Sequence, residues 1–187
     1  MADFSQFLPE VLRFEGGWVD NPYDPGGATN KGITFGTFKE YAPRLLHLNP
    51  TIDNLRKLTD EQAGKIYKIE YWDPIFGDEI QFQLLANIIC DFNVNAGYQA
   101  IELFIKVLNT LGGNHPPHSN LTRKIMESLN YHDSAEIYMD YKTGRISYYR
   151  TLAQDHPALR RFLPGWLNRV NAFPNVKVVG RADSNTC

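Results

Sequence analysis

The chain has 187 residues, 43% apolar and 21% charged, the profile of a globular protein with one substantial core. Its formal net charge is −2, and no stretch approaches the roughly 20 apolar residues that span a bilayer, so membrane insertion is not expected. The charge is uneven, with a net of −8 up to Tyr141 and +6 from Lys142 onward, but the basic residues are dispersed, so no nucleic-acid partner is expected. The imbalance is read as mutual attraction of the two parts within the fold, with contact to an anionic polymer as the other reading.

MADFSQFLPEVLRFEGG has neither a basic n-region nor an apolar h-region, so no secretory leader is expected. Phe4, Phe7, Leu8, Val11 and Leu12 recur at helical spacing behind Asp3, which predicts a helix over 4–14 stopped by Gly16 and Gly17. From Trp18 to Ile33 the chain is crowded with Asn, Asp, Pro and Gly. Short strands joined by tight turns are expected there, with DPGG as one turn. Helices resume at Thr34 or Thr37; Thr37 and Glu40 have capping-box spacing, and Pro43 limits that helix. Thr59 and Gln62 have the same spacing before a helix that ends near Asp73-Pro74.

Ile80, Leu84, Leu85, Ile88, Ile89 and Phe92 predict a buried helix that closes at Gly97. Ile101, Phe104, Ile105 and Leu108 predict the next, closed by Gly112-Gly113. NHPPHSN reads as a loop, and 121–129, 134–152 and 158–172 read as helices. The tail from Pro174 is expected to be poorly ordered. Cys90 reads as a buried apolar residue and Cys187 as a stray thiol, so no disulfide framework is expected. His115 and His118 flank two prolines without a close carboxylate, so no metal site is expected. The class is mainly α (α+β), with a small β-hairpin region near the N-terminus.

FEGGWVDNPYDPGGATNKGIT, residues 14–34, holds the chemistry. Glu15 follows an apolar helix, where desolvation and the negative end of the helix dipole both favour a protonated carboxyl. Such a group can protonate a leaving oxygen, and the glycines after it leave room for a polymer. Eight residues separate Glu15 from Asp24, across an expected bend, so the two can face one cleft. Glycoside hydrolysis usually needs such a pair. Asp24 also reads as a turn opener before Pro25, and Asp20 competes for the second role. Thr29 and Thr34 offer hydroxyls to position a water.

The run EGGWVDNPYDPGGATNKGIT resembles the signature of glycoside hydrolase family 108, the peptidoglycan-cleaving N-acetylmuramidases, with Trp18 where the family usually has Tyr. Tyr71-Trp72-Asp73-Pro74 resembles the family's Tyr-Trp segment. Asp91-Phe92-Asn93-Val94-Asn95-Ala96-Gly97 is similar to the motif opening its predicted peptidoglycan-binding half. Arg145, Tyr148-Tyr149, Phe162, Gly165-Trp166 and Arg169-Val170 also fit that half.

The resemblance implies a lysozyme-like fold with a helical bundle lobe, and Glu15 as catalytic acid. Phage lysozymes of a related fold pair such a Glu with an Asp and a Thr. Asp24 keeps the first gap, and Thr29 falls one residue short of the second. Expected sugar contacts are Tyr71, Trp72, Asp91 and Asn95. Core packing is an equal reading for Tyr71 and Trp72, and helix capping for Asp91 and Asn95. The expected division is a catalytic part over 1–87, a helical peptidoglycan-binding part over 88–173 and a loose tail over 174–187.

The expected activity is cleavage of the β-1,4 bond between N-acetylmuramic acid and N-acetylglucosamine, without a cofactor. A lytic transglycosylase and a non-catalytic wall-binding module are the alternatives. The expected partner is the glycan strand of peptidoglycan, with an immunity protein if the chain is a secreted antibacterial effector. The place of action is the cell wall or periplasm, reached through a holin or a secretion system.

Overall fold

The computed structural model describes residues 1–20, 27–117 and 120–178. The chain divides into two compact units, one of Asp3–Pro74 and one of Met1–Ala2 with Ile75–Cys187. That division falls at Pro74–Ile75, upstream of the one expected after residue 87.

In the first unit, helix α1 (Phe4–Glu15) starts where the Asp3 carboxylate accepts the Ser5 amide at 2.8 Å. This satisfies an amide the first turn leaves unpaired. Its apolar stripe buries Phe7 and Val11, and Gly16, at φ 72°, ends it. Strands β1 (Thr29–Asn30) and β2 (Ile33–Thr34) pair antiparallel, with Asn30 opposite Ile33. The two residues between them, Lys31 and Gly32, have φ of 51° and 73°. Positive φ at both positions matches the twist of a two-residue hairpin, and it is the lysine, not the glycine, that bears the steric cost. Val19 exchanges backbone hydrogen bonds with Thr29 on the other side, at 2.8 Å each.

Helix α2 (Phe35–Tyr41) is capped by Thr34, whose hydroxyl accepts the Thr37 amide, so of the two expected starts, Thr34 and Thr37, it is the first. Pro43 does not end the run; a π-helical turn over Ala42–Leu46 carries it onward. Helix α3 (Ile52–Arg56), which the sequence reading passed over, is capped by Thr51. Helix α4 (Asp60–Tyr67) has the expected Thr59–Gln62 capping box. It packs on α1 so closely that a Cβ on Gly64 would lie 2.6 Å from Leu8 Cδ2. A second π-helical turn, Lys68–Trp72, follows.

The second unit is built on α5 (Gln83–Ala96), α6 (Gln99–Thr110) and α8 (Ser134–Asp155), which pack on one another. Helices α7 (Arg123–Glu127) and α9 (Leu163–Asn171) complete it, α9 lying against α8. Leu85, Ile88, Ile89, Cys90 and Phe92 are buried, so α5 is the core helix its periodicity predicts. The start of the segment read as a loose tail is tied down. Tyr138 donates to the Pro174 carbonyl at 2.6 Å, and Lys142 Nζ reaches the Phe173 carbonyl and Asn175 Oδ1, both at 2.6 Å. The class is mainly α, as expected, with one small antiparallel sheet among the described residues. Among the described residues no helix is long and apolar enough to cross a membrane.

Candidate active site

Glu15 is the last residue of α1, half-buried, immediately before two exposed glycines. The hairpin turn brings Gly32 against it: a Cβ there would lie 2.9 Å from Glu15 Oε2 and 3.0 Å from Glu15 Cβ. The same point would collide with the Tyr67 hydroxyl. Only glycine therefore fits between the glutamate and the tyrosine, and its positive φ gives a second reason.

The turn is itself anchored. Tyr67, buried at the end of α4, donates to the Lys31 carbonyl at 3.0 Å, and Lys31 Nζ meets Asp60 at 2.5 Å. Asn30 is buried and donates to the Leu55 and Arg56 carbonyls at 2.9 and 3.0 Å, satisfying the end of α3. Helix α1, the hairpin and α4 thus meet at one carboxyl, which is half-buried and followed by two exposed glycines with free space where a Cβ would stand. Tyr67, Gly32 and Asn30 were not singled out in the sequence. The one sequence signal for the turn was the glycine of N-K-G-I, between the β-prone Thr29 and Ile33.

Thr29 lies on β1, half-buried, with its hydroxyl 3.4 Å from the Gly27 carbonyl. Thr34 spends its hydroxyl on the α2 cap. Asp24 and the turn read in DPGG fall on residues 21–26, outside the described residues, as do His118 and Cys187. Trp18 is half-buried, with the Arg56 guanidinium 4.6 Å from its ring centroid. Tyr71 is half-buried, its ring 5.4 Å from that of Tyr67. Glu15, Thr29 and Tyr71 therefore belong to one unit. Near the Lys68–Trp72 turn, burial, with the nearby Glu40 charge second, raises the Glu70 carboxyl pKa above its ordinary value.

Two expected sugar contacts are corrected. Trp72 is 0% exposed, its ring stacked on Phe7 at 5.6 Å and edge-on to Phe4 at 5.5 Å, so it offers no face to a sugar. Asp91, 1% exposed, is neutralised by Arg145 at 2.6 Å and by Arg169 at 2.8 Å, so its carboxylate serves the core of the second unit. Asn95, about one turn nearer the end of α5, is exposed and accepts a hydrogen bond from Tyr149. It belongs with Asp91 to the second unit.

The larger hollows among the described residues lie elsewhere. One of about 450 Å³ is bordered by Glu79, Met126 and His132, and one of about 460 Å³ by Ile105, Lys106 and Pro117. Both are lined by residues of the second unit. Among the described residues no three His, Cys, Asp or Glu side chains gather as metal ligands would.

Residues 8–97 match the model of the family described as glycosyl hydrolase 108. No curated protein matches the chain. A solved structure titled as that of Brucella abortus SagA is similar over 91% of this chain and 94% of that one, at 24% identity and a TM-score of 0.64. At that identity the likeness concerns the fold. The matched segment contains Glu15, its glycines and the whole hairpin, so the likeness to glycosyl hydrolase 108 covers the candidate acid and the turn beside it, and the fold is mainly α and lysozyme-like.

Proposed function

We propose that the chain is an endo-acting N-acetylmuramidase that hydrolyses the β-1,4 bond between N-acetylmuramic acid and N-acetylglucosamine in peptidoglycan. The observation that carries this reading is the Glu15 carboxyl at the end of α1, locked beside the Gly32 turn within the family-matched segment. A carboxyl held there donates its proton to the bridging oxygen as positive charge builds on the sugar ring. Asp24, with Thr29, is assigned the opposite face, where a water attacks the anomeric carbon. Proton donation and a positioned water complete the hydrolysis without a cofactor.

Tyr71 and Asn95 are the remaining assigned glycan contacts, since both keep accessible surface. The place of action is the bacterial cell wall, in phage lysis or in attack by a secreted effector. A neighbouring holin gene marks the first setting and an immunity gene, with its protein as partner, the second.

The test is mass spectrometry of the products from purified sacculi. Fragments with reducing muramic acid ends are expected. Anhydro-muramic ends would make the chain a lytic transglycosylase instead. Binding without soluble product would make it a wall-binding module.

A further inference from the structure

In the second unit a chain of polar groups runs from a buried ion pair to the surface, and its direction is set by chemistry. Arg145 is 0% exposed and pairs with Asp91 Oδ2 at 2.6 Å. Asp91 is also held by Arg169, through Nη2 at 2.8 Å and Nε at 2.9 Å. Arginine can only donate, so the contact of Arg145 Nη2 with the Tyr149 hydroxyl, at 3.4 Å, makes that oxygen the acceptor. The hydroxyl hydrogen is then free for Asn95 Oδ1, and the structure shows that bond.

Tyr149 keeps its proton well into the alkaline range, because burial raises its pKa. Its ring is fixed by stacking on Trp166 at 5.1 Å and by the edge contact with Phe92 at 5.6 Å. With Oδ1 taking the hydroxyl hydrogen, a flip of the Asn95 amide would exchange that bond for a second donation to an oxygen that already accepts from Arg145. Asn95 is exposed, and with Oδ1 engaged its Nδ2 hydrogens are the donors it can offer a ligand.

We propose that Asn95 is a donor-only recognition point for a carbonyl-type oxygen on the substrate strand, and that Tyr149 is the positioning residue that sets its orientation. The proposal rests on the peptidoglycan reading above and adds the chemistry of the contact. The oxygen comes from an N-acetyl group or from a stem-peptide carboxylate; a group that only donates is rejected. Low dielectric around Arg145 and Asp91 strengthens each bond that follows in the chain.

The experiment measures binding of the full chain, carrying Glu15→Gln to prevent turnover, to sacculi that are intact, de-N-acetylated or stripped of stem peptides. Asn95→Ala is expected to weaken binding to intact sacculi about five- to tenfold, one hydrogen bond's worth. Tyr149→Phe keeps the ring and is expected to weaken it about threefold. The double variant should bind no worse than Asn95→Ala, a non-additivity that a merely structural tyrosine would not give. Asn95 is exposed, so its variant reads out even if Tyr149→Phe misfolds.

Loss of the Asn95 advantage on de-N-acetylated sacculi supports the acetamido oxygen. Loss on peptide-stripped sacculi supports the carboxylate. Equal binding by Asn95→Ala and its parent, additive losses, an advantage surviving both treatments together, or no binding at all would overturn the proposal. Hydrolysis by the unmodified chain on the same intact sacculi reports separately on the muramidase reading.

Discussion

The Glu15 carboxylate lies 2.9 Å from the point where a side chain on Gly32 would begin. Gly32→Ala therefore presses a methyl group onto Glu15 and the Tyr67 hydroxyl, in a left-handed backbone that costs an L-residue roughly 1–2 kcal/mol. A displaced acid loses its line to the bridging oxygen, and a 1 Å error can cost about 100-fold. The variant is expected to lose at least tenfold in kcat on sacculi while retaining native circular dichroism. Wild-type turnover would show that the turn does not hold Glu15.

Trp72 is fully buried against Phe4 and Phe7. Trp72→Ala should cost about 3–5 kcal/mol in urea unfolding, the loss expected from a large core cavity. A residue that merely stacked on sugars would leave unfolding unchanged and alter only binding.

Asp91 faces two guanidinium groups, one of them wholly buried. Asp91→Asn keeps the shape but leaves Arg145 without its counter-charge, beside the Phe92 ring at 4.9 Å. Breaking one side of a buried pair costs about 3–5 kcal/mol. Urea denaturation is expected to show that loss, and a change under about 1 kcal/mol would contradict the pairing.

Patterns local in sequence were readable, and patterns that depend on distant partners were not. The Thr59–Gln62 box, the apolar stripe of α1 and the buried face of α5 follow from spacing alone, and all are present. Trp72 was misjudged because the stretch after Thr59 reads as one helix. A π-helical turn over Lys68–Trp72 widens the spiral and carries the ring inward. Asp91 was misjudged because its partners, Arg145 and Arg169, lie far along the chain and only α8 and α9 bring them back.

At the site, Glu15 was legible from its place between an apolar helix and two glycines. Tyr67 was not, because nothing local links it to the Lys31 carbonyl it binds. DPGG, read as one turn, begins outside the described residues, and the described turn is Lys31–Gly32, where a lysine at positive φ departs from the usual Asn-Gly or Asp-Gly pattern.

Alkaline pH should loosen the second unit. Burial raises the pKa of Tyr141, Tyr148 and Tyr149 above the ordinary value of about 10. Above that value the unfolded chain releases these protons and the folded chain retains them, so stability is full below it and falls as pH rises further. Lys142 acts oppositely: burial lowers its pKa, so its contribution rises with pH just below the usual lysine range. Three groups against one give a net fall. The urea midpoint is expected to drop above about pH 10, less steeply in Tyr141→Phe. A midpoint that stays level to pH 11 would contradict this balance.

Turnover of purified sacculi by Glu15→Gln, beside the unmodified chain, addresses the central claim. The amide preserves shape and cannot donate an acidic proton. General acid catalysis contributes about 100- to 10,000-fold, so release of reducing muramic acid ends should fall by at least about 100-fold with the unfolding midpoint unchanged. Release at the unmodified rate would contradict the account.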